Sequence, residues 1–304
     1  MRLGRNWIPA GALLLAAAGL PAAEVAVLKS SDAAAWRPAL DALKRSASAH
    51  NLTEYDLRND RAEAERVLGT IKGKTAVEVA LGPLAAQAAH ELAPEVPLVF
   101  AMVPDPAKLG LTGLAGVSGV AFSAPAKNQL AAFRMVNPHA VRIGVLYSAD
   151  GSGKLVQEAQ KAASVLRLSI VDRAVASDKE IPEALRGMLK GDQAVDAVWL
   201  PPDPVVLGED ARRYIMAETL KVQRPVYASL AALVGEGALV ASSPDSASIG
   251  EQLGDLVNRL AGPERTAKIE MMVPRLELII NKKMADKMKI EVPADALKVA
   301  SKVF

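Results

Sequence analysis

Two aspartates stand in the same local frame. Asp105 lies between Pro104 and Pro106, and Asp203 lies between Pro202 and Pro204. Each follows an apolar run that reads as a buried strand, PLVFAMV over 97–103 and VDAVWL over 195–200. Proline on both sides fixes the backbone where a strand leaves its sheet. A carboxylate held there either caps the next turn or reaches into the space beyond the strand ends and meets a ligand. Ser30 and Ser31 close a third apolar run, 25–29. The N–H groups of a following helix would favour a ligand carboxylate at that point, and capping is again the alternative. Asp105, Asp203 and Asp245 are far apart in sequence and meet only if the fold gathers them.

Other chemistry is missing. The chain has no cysteine, which excludes disulfides, thiolate metal sites, cysteine nucleophiles and a lipid anchor on an N-terminal cysteine. His50, His90 and His139 are widely spaced, and no HExxH motif, EF-hand loop or GxSxG elbow occurs. The run Asp150-Gly151-Ser152-Gly153-Lys154 has Leu155 where a phosphate loop requires Ser or Thr, so it reads as a helix-capping turn. Gly110, Gly113, Gly116 and Gly119 lack the spacing of a dinucleotide fingerprint and read as a loop. No nucleophile accompanies the aspartates. A secreted enzyme using them as acid and base is therefore the weakest reading, and the expectation is no enzyme, no metal and no cofactor.

Aromatic residues make up 4% of the chain, few enough to weigh one by one. Phe100 and Trp199 fall in expected central strands. Trp36, Phe122, Tyr147 and Tyr227 fall at a loop start, a crossover and two strand ends. Each ring is either core or a stacking face for a ligand, and together they favour an apolar or aromatic-bearing one.

The elements that must position these groups follow from patterning. A length of 304 residues suggests two domains. Half the chain is apolar (51%), enough for a large aliphatic core, and 36 basic residues against 34 acidic ones leave no basic excess for nucleic acid. Residues 1–23 begin with Arg2 and Arg5, continue through an apolar run over 10–20 and end in small residues, the pattern of a secretory leader cut after Ala18, Ala22 or Ala23. The apolar run falls short of the ~20 residues of a membrane-spanning helix. Beyond it, continuous apolar strands alternate with helical stretches, and the series restarts near residue 123. Strands of this kind are buried on both faces and run parallel in βαβ units. The expected fold is α/β, with two doubly wound parallel-sheet lobes facing a cleft beyond their strand ends.

Several segments then carry a resemblance. The stretch 96–110 (VPLVFAMVPDPAKLG), the strand 141–147 (VRIGVLY), the segment 195–203 (VDAVWLPPD) and the stretch 237–250 (GALVASSPDSASIG) followed by Leu260-Ala261-Gly262 resemble the ABC-transporter substrate-binding proteins related to tryptophan- and tyrosine-binding receptors. Leu278–Asn281 and Ile290–Pro293 resemble that family's ending, so the likeness covers most of 24–304. It implies the type I periplasmic-binding-protein fold, with a multi-segment hinge, lobe 1 over 24–122 and 244–274, and lobe 2 over 123–243 and 275–304. It implies cleft residues Ser30, Gly82, Pro83 and Asp105 in the first lobe and Tyr147, Asp203 and Ser229 in the second, with Phe122, Ser123, Pro244 and Asp245 near the crossovers. Ser31 and Trp36 join them from the residue reading.

The implied role is a monomeric periplasmic receptor that traps a small organic ligand by hinge closure and delivers it to an ABC permease. The alternative is a receptor of the same fold that signals to a membrane sensor. The chain departs from the family at its presumed ligand loops. Pro104 replaces a threonine, and Ser246, Ala247 and Ser248 stand where a tyrosine is usual. The family's amino-acid ligands are therefore not assumed.

Overall fold

The computed structural model describes residues 22–304. The expected leader, but for its last two residues, lies outside the described residues. The first sheet is built from β1 (Glu24–Lys29), β2 (Asn51–Asp56), β3 (Val77–Leu81), β4 (Leu98–Ala101) and β5 (Val117–Gly119), in spatial order 2-1-3-4-5. All four pairings are parallel. The crossovers carry α1 (Arg37–Ser46), α2 (Arg61–Ile71) and α3 (Pro83–Leu92).

The second lobe repeats the scheme with α4 (Ala126–Val136), β6 (Arg142–Tyr147), α5 (Ala149–Ala163), β7 (Ser169–Ala174), α6 (Ile181–Leu189), β8 (Ala197–Leu200), α7 (Glu209–Lys221), β9 (Val226–Ala228), α8 (Ala232–Gly235) and β10 (Val240–Pro244). The chain then forms α9 (Ser246–Leu260), β11 (Leu276–Ile280), α10 (Lys282–Lys287), α11 (Ala294–Val299) and β12 (Lys302–Val303). The second sheet has the order 12-11-10-9-8-6-7. The β11 strand runs antiparallel to β10, so this sheet is parallel-dominated but not purely parallel.

Each sheet is covered on both faces, as its apolar strands require. In the first lobe Leu28, Leu68 and Phe100 pack under α2 and α3, while Val27, Val79, Leu43 and Leu253 pack under α1 and α9. In the second, Phe133, Trp199 and Tyr227 form a buried aromatic group on one face, with Phe133 and Tyr227 centroids 5.0 Å apart. Leu185, Leu200 and Ile215 lie on the other. The α9 helix leaves the end of β10 in the second lobe and seats on α1 of the first. A Cβ on Gly250 would lie 2.0 Å from the Ala39 carbonyl oxygen, so only glycine permits that approach.

Connectors between the lobes lie side by side. Val120 bridges Met272, the Ala121 N–H donates to the Met272 carbonyl, and the Asp245 N–H donates to the Arg275 carbonyl.

Three boundaries differ from the sequence reading, each for a local reason. The run 97–103 forms a strand only to Ala101, because Met102 turns into the left-handed region at φ 59°. The run 118–123 (SGVAFS) reads from sequence as a short strand, but the strand stops at Gly119, where the connector begins. The expected capping turn at 150–154 is instead the first turn of α5, which starts at Ala149, five residues earlier than its apolar spacing suggests. Two glycines lower the intrinsic helix propensity of that turn, and a long-range cap from Asp203 offsets the loss.

Glu78 sits in β3, 2% exposed, with Oε2 lacking a hydrogen-bond partner among the described residues. Burial, then the charge of Glu95, pushes its pKa up to about 8. The folded state therefore holds a proton that the unfolded chain releases near pH 4.5. Stability falls as pH rises between those two values. Glu78→Gln should abolish this decline: in urea melts the variant should exceed the parent by a few kcal/mol at pH 9 and match it near pH 4. Parallel pH profiles for the two proteins would refute the assignment.

Candidate ligand-binding cleft

Asp203 is fully buried at the end of β8, and both of its oxygens are occupied. Oδ2 accepts the Ser148 N–H at 2.7 Å, the Ser148 hydroxyl at 2.9 Å and the Ser152 N–H at 3.2 Å. Oδ1 accepts the N–H groups of Val205 and Val206 at 3.0 and 3.2 Å. One carboxylate thus closes the N-terminus of α5 and the turn after β8 together. A Cβ on Gly151 would come within 2.7 Å of Asp203 Oδ2, so the approach of α5 depends on that glycine.

Asp105 occupies the matching loop of the first lobe in a different manner. It remains partly exposed, Oδ1 accepts the Lys108 N–H at 3.3 Å, and Oδ2 meets the Lys154 ammonium of α5 at 3.2 Å. This ion pair crosses from one lobe to the other. Desolvation raises the Asp105 pKa, but the hydrogen bonds from Lys154 and the Lys108 backbone, with both lysine charges, outweigh it and hold the carboxyl below its ordinary value.

A cavity of about 710 Å³ opens between these loops. Asp105 and Pro104 bound it from the first lobe, the connector residues Phe122, Ser123 and Val273 from the side, and α5 with Asp203 from the second lobe. Its apolar wall includes Phe122, Leu155, Leu207 and Leu230. On α5 it meets Asp150, Lys154 and Glu158, four residues apart and so on one helix face, beside Ser152. The Ser152 hydroxyl is buried without a hydrogen-bond partner among the described residues.

Of the residues singled out from sequence, Asp105, Phe122, Ser123 and Asp203 line this cavity. The others are not among the residues that bound it. Ser30 Oγ accepts the Ala85 N–H at 3.0 Å, supplying the cap that Gly82 cannot give to α3. Gly82 has φ 91°, and a Cβ there would lie 2.6 Å from Ser30 Oγ and 3.0 Å from the Trp36 ring. Pro83 opens α3, Ser31 is partly exposed beside this group, and Trp36 packs on the core face beneath α1. Tyr147 donates to Asp172 at 3.2 Å, and burial, followed by that carboxylate's charge and hydrogen bond, raises its pKa. Ser229 is buried: it accepts from Trp199 Nε1 at 3.0 Å and donates to Gln129 Oε1 at 2.6 Å, while Gln129 donates to the Ala124 carbonyl. That chain ties a connector to the second lobe. Asp245 caps α9 through the Ala247 N–H.

Sequence reasoning missed Lys108, Asp150, Ser152, Lys154 and Glu158. The four-residue spacing of Asp150, Lys154 and Glu158 was the available signal, obscured by reading 150–154 as a capping turn and not as helix.

A family model described as ABC transporter substrate binding protein matches residues 25–304, and the chain belongs to that family. Its members bind substrates and do not transform them. A tyrosine-binding protein of Clostridioides difficile (strain R20291) is 23% identical over 210 residues, which is 66% of this chain. The match spans 59% of that curated relative's length. Among solved structures, an ABC domain in complex with L-Trp from Streptococcus pneumonia superposes with a TM-score of 0.67 at 22% identity, covering 93% of this chain and 100% of the other. The ligand-free, open structure of a substrate binding protein with adhesive properties from Clostridium difficile gives 0.79 at 18% identity, covering 92% and 99%. The shared architecture is the two-lobe type I periplasmic-binding-protein fold.

Asp203→Asn replaces an oxygen that takes three donors by an amide or leaves the other two donors unmet. It should cost about 2–4 kcal/mol in chemical denaturation. A loss under half a kcal/mol would show that the carboxylate is not the tie described.

Proposed function

We propose that the protein is the periplasmic receptor of an ABC import system. It captures a small organic ligand with an aromatic or apolar body in the cleft and closes by rotation of two lobes about their connectors. The lobes are taken as 24–122 with 244–274, and 123–243 with 275–304. The observation that carries the reading is the 710 Å³ cavity bounded by both lobes and by connector residues, in a chain of this family. A volume in that range suits a metabolite-sized ligand. Phe122 offers a ring face, and the tyrosine- and tryptophan-binding relatives make aromatic amino acids and their derivatives the first compounds to try. The basic start, short apolar run and small residues over 1–23 support export and removal of a leader. Among the described residues no helix is long and apolar enough to cross a membrane. The receptor is taken to act as a monomer.

Thermal-shift screening of amino acids, amines and small aromatic acids tests this reading. A true ligand at 100 times its Kd should add ~2.7 kcal/mol to stability. Its addition should also lower the radius of gyration in solution scattering as the lobes close. Lys154→Met should change that ligand's affinity while leaving the ligand-free melting temperature within about 1 °C, since exposed ion pairs contribute little to folding. A panel without a single stabilising compound would overturn the receptor reading.

A further inference from the structure

Charge in the cavity is distributed unevenly. Its lining holds the carboxylates of Asp105, Asp150, Glu158 and Asp203 but only two cations, Lys108 and Lys154, with neither arginine nor histidine. Both ammoniums face the same oxygen, Asp105 Oδ2, at 3.9 and 3.2 Å. Asp150, Lys154 and Glu158 follow one another at four-residue spacing along α5, where a lysine ordinarily pairs with a carboxylate of its own helix. Lys154 instead reaches across to Asp105. Among the described residues, Asp150 and Glu158 are left with no ion-pair or side-chain hydrogen-bond partner.

The helix N-terminus here is not a free anion site. Its dipole and its Ser148 and Ser152 N–H groups already hold the protein's own Asp203. Beside it Ser152, 3% exposed and with its hydroxyl unpartnered among the described residues, is one of the residues bounding the cavity. Both carboxylates are solvent-exposed, so a ligand carboxylate approaching this wall meets two negative charges that no side chain pairs, whereas an ammonium meets their complement.

Resting on the receptor reading, we infer that the cleft selects a primary amine on an apolar or aromatic body, without a free carboxylate, and that Asp150 and Glu158 set that preference. The ligand class is an organic monoamine or a carboxyl-blocked amino acid, not a zwitterion. Titration calorimetry at pH 7 and low salt on two matched series tests this: tryptamine, L-tryptophan and indole-3-propionate, and tyramine, L-tyrosine and 4-hydroxyphenylpropionate. The amine of at least one series should bind at least tenfold more tightly than its amino acid, with the acid weakest, and salt should narrow the gap. The double variant Asp150→Asn/Glu158→Gln, with its fold checked by circular dichroism, should lose that preference. An amino acid or acid that binds as tightly as its amine, or a double variant that keeps the preference, overturns the inference and leaves the receptor reading intact. If none of the six compounds binds, the inference falls, and the receptor reading then stands or falls on the wider panel.

Discussion

The arrangement of the cleft depends on one buried carboxylate. Asp203 is wholly removed from solvent, a cost that only dense hydrogen bonding offsets. It receives five donors from two separate stretches of chain: the start of α5 and the turn after β8. The proline on either side holds the loop in the path that brings the carboxylate there. Because the same group ends one βα unit and begins another, it fixes how α5 stands relative to β8. That relation decides which face of α5 lines the cavity. The face it presents is the row Asp150, Lys154, Glu158, together with Ser152 and Leu155.

The first lobe solves the same topological problem without such a carboxylate. Its crest is closed by Ser30 reaching over to cap α3 and by Trp36 packed against Gly82. No side chain of that crest lines the cavity, although Ser30, Gly82 and Pro83 stand at strand ends as the doubly wound fold demands. The loop after β4, carrying Pro104, Asp105 and Lys108, is the first lobe's main contribution. Two lobes of similar design therefore face each other unequally. The second supplies a helix face with charges on it, and the first supplies a loop with a partly exposed carboxylate.

Much of the architecture was legible because its signals are local. Continuous apolar runs such as LVFA and AVWL can hardly be anything but strands buried on both faces, and their alternation with helical periodicity dictates parallel pairing. The Pro-flanked aspartates were legible as a pair, yet sequence could not tell the cap from the rim. That distinction rests on what lies across space: Ser148 and Ser152 for Asp203, and Lys154 for Asp105. Ser229 was expected in the cleft by the family resemblance, and in the structure it hydrogen-bonds Trp199 and Gln129 inside the lobe. The start of α5 was misplaced for a related reason. Its cap comes from a residue more than fifty positions away, and no window of sequence contains both partners. The C-terminal elements β11, α10, α11 and β12 are short, and β11 is an antiparallel edge addition outside the βα rhythm.

On the proposed reading, motion between the lobes is governed by a contrast in how they are joined. The connectors are held by backbone hydrogen bonds to one another and by the buried chain from Trp199 through Ser229 and Gln129 to Ala124. Such buried, satisfied networks are stiff and fix an axis. The only ion pair spanning the cavity rim among the described residues, Asp105 with Lys154, is by contrast solvent-facing, with Lys154 80% exposed. Pairs of that kind contribute ~0–1 kcal/mol. An axis that is rigid and a rim contact that is weak leave the lobes free to respond to whatever occupies the space between them. A ligand that compensates Asp150 and Glu158 adds a term the empty cleft lacks, on the side of the hinge where the lobes must approach. Selectivity and closure then come from the same wall of α5, whose placement returns to Asp203.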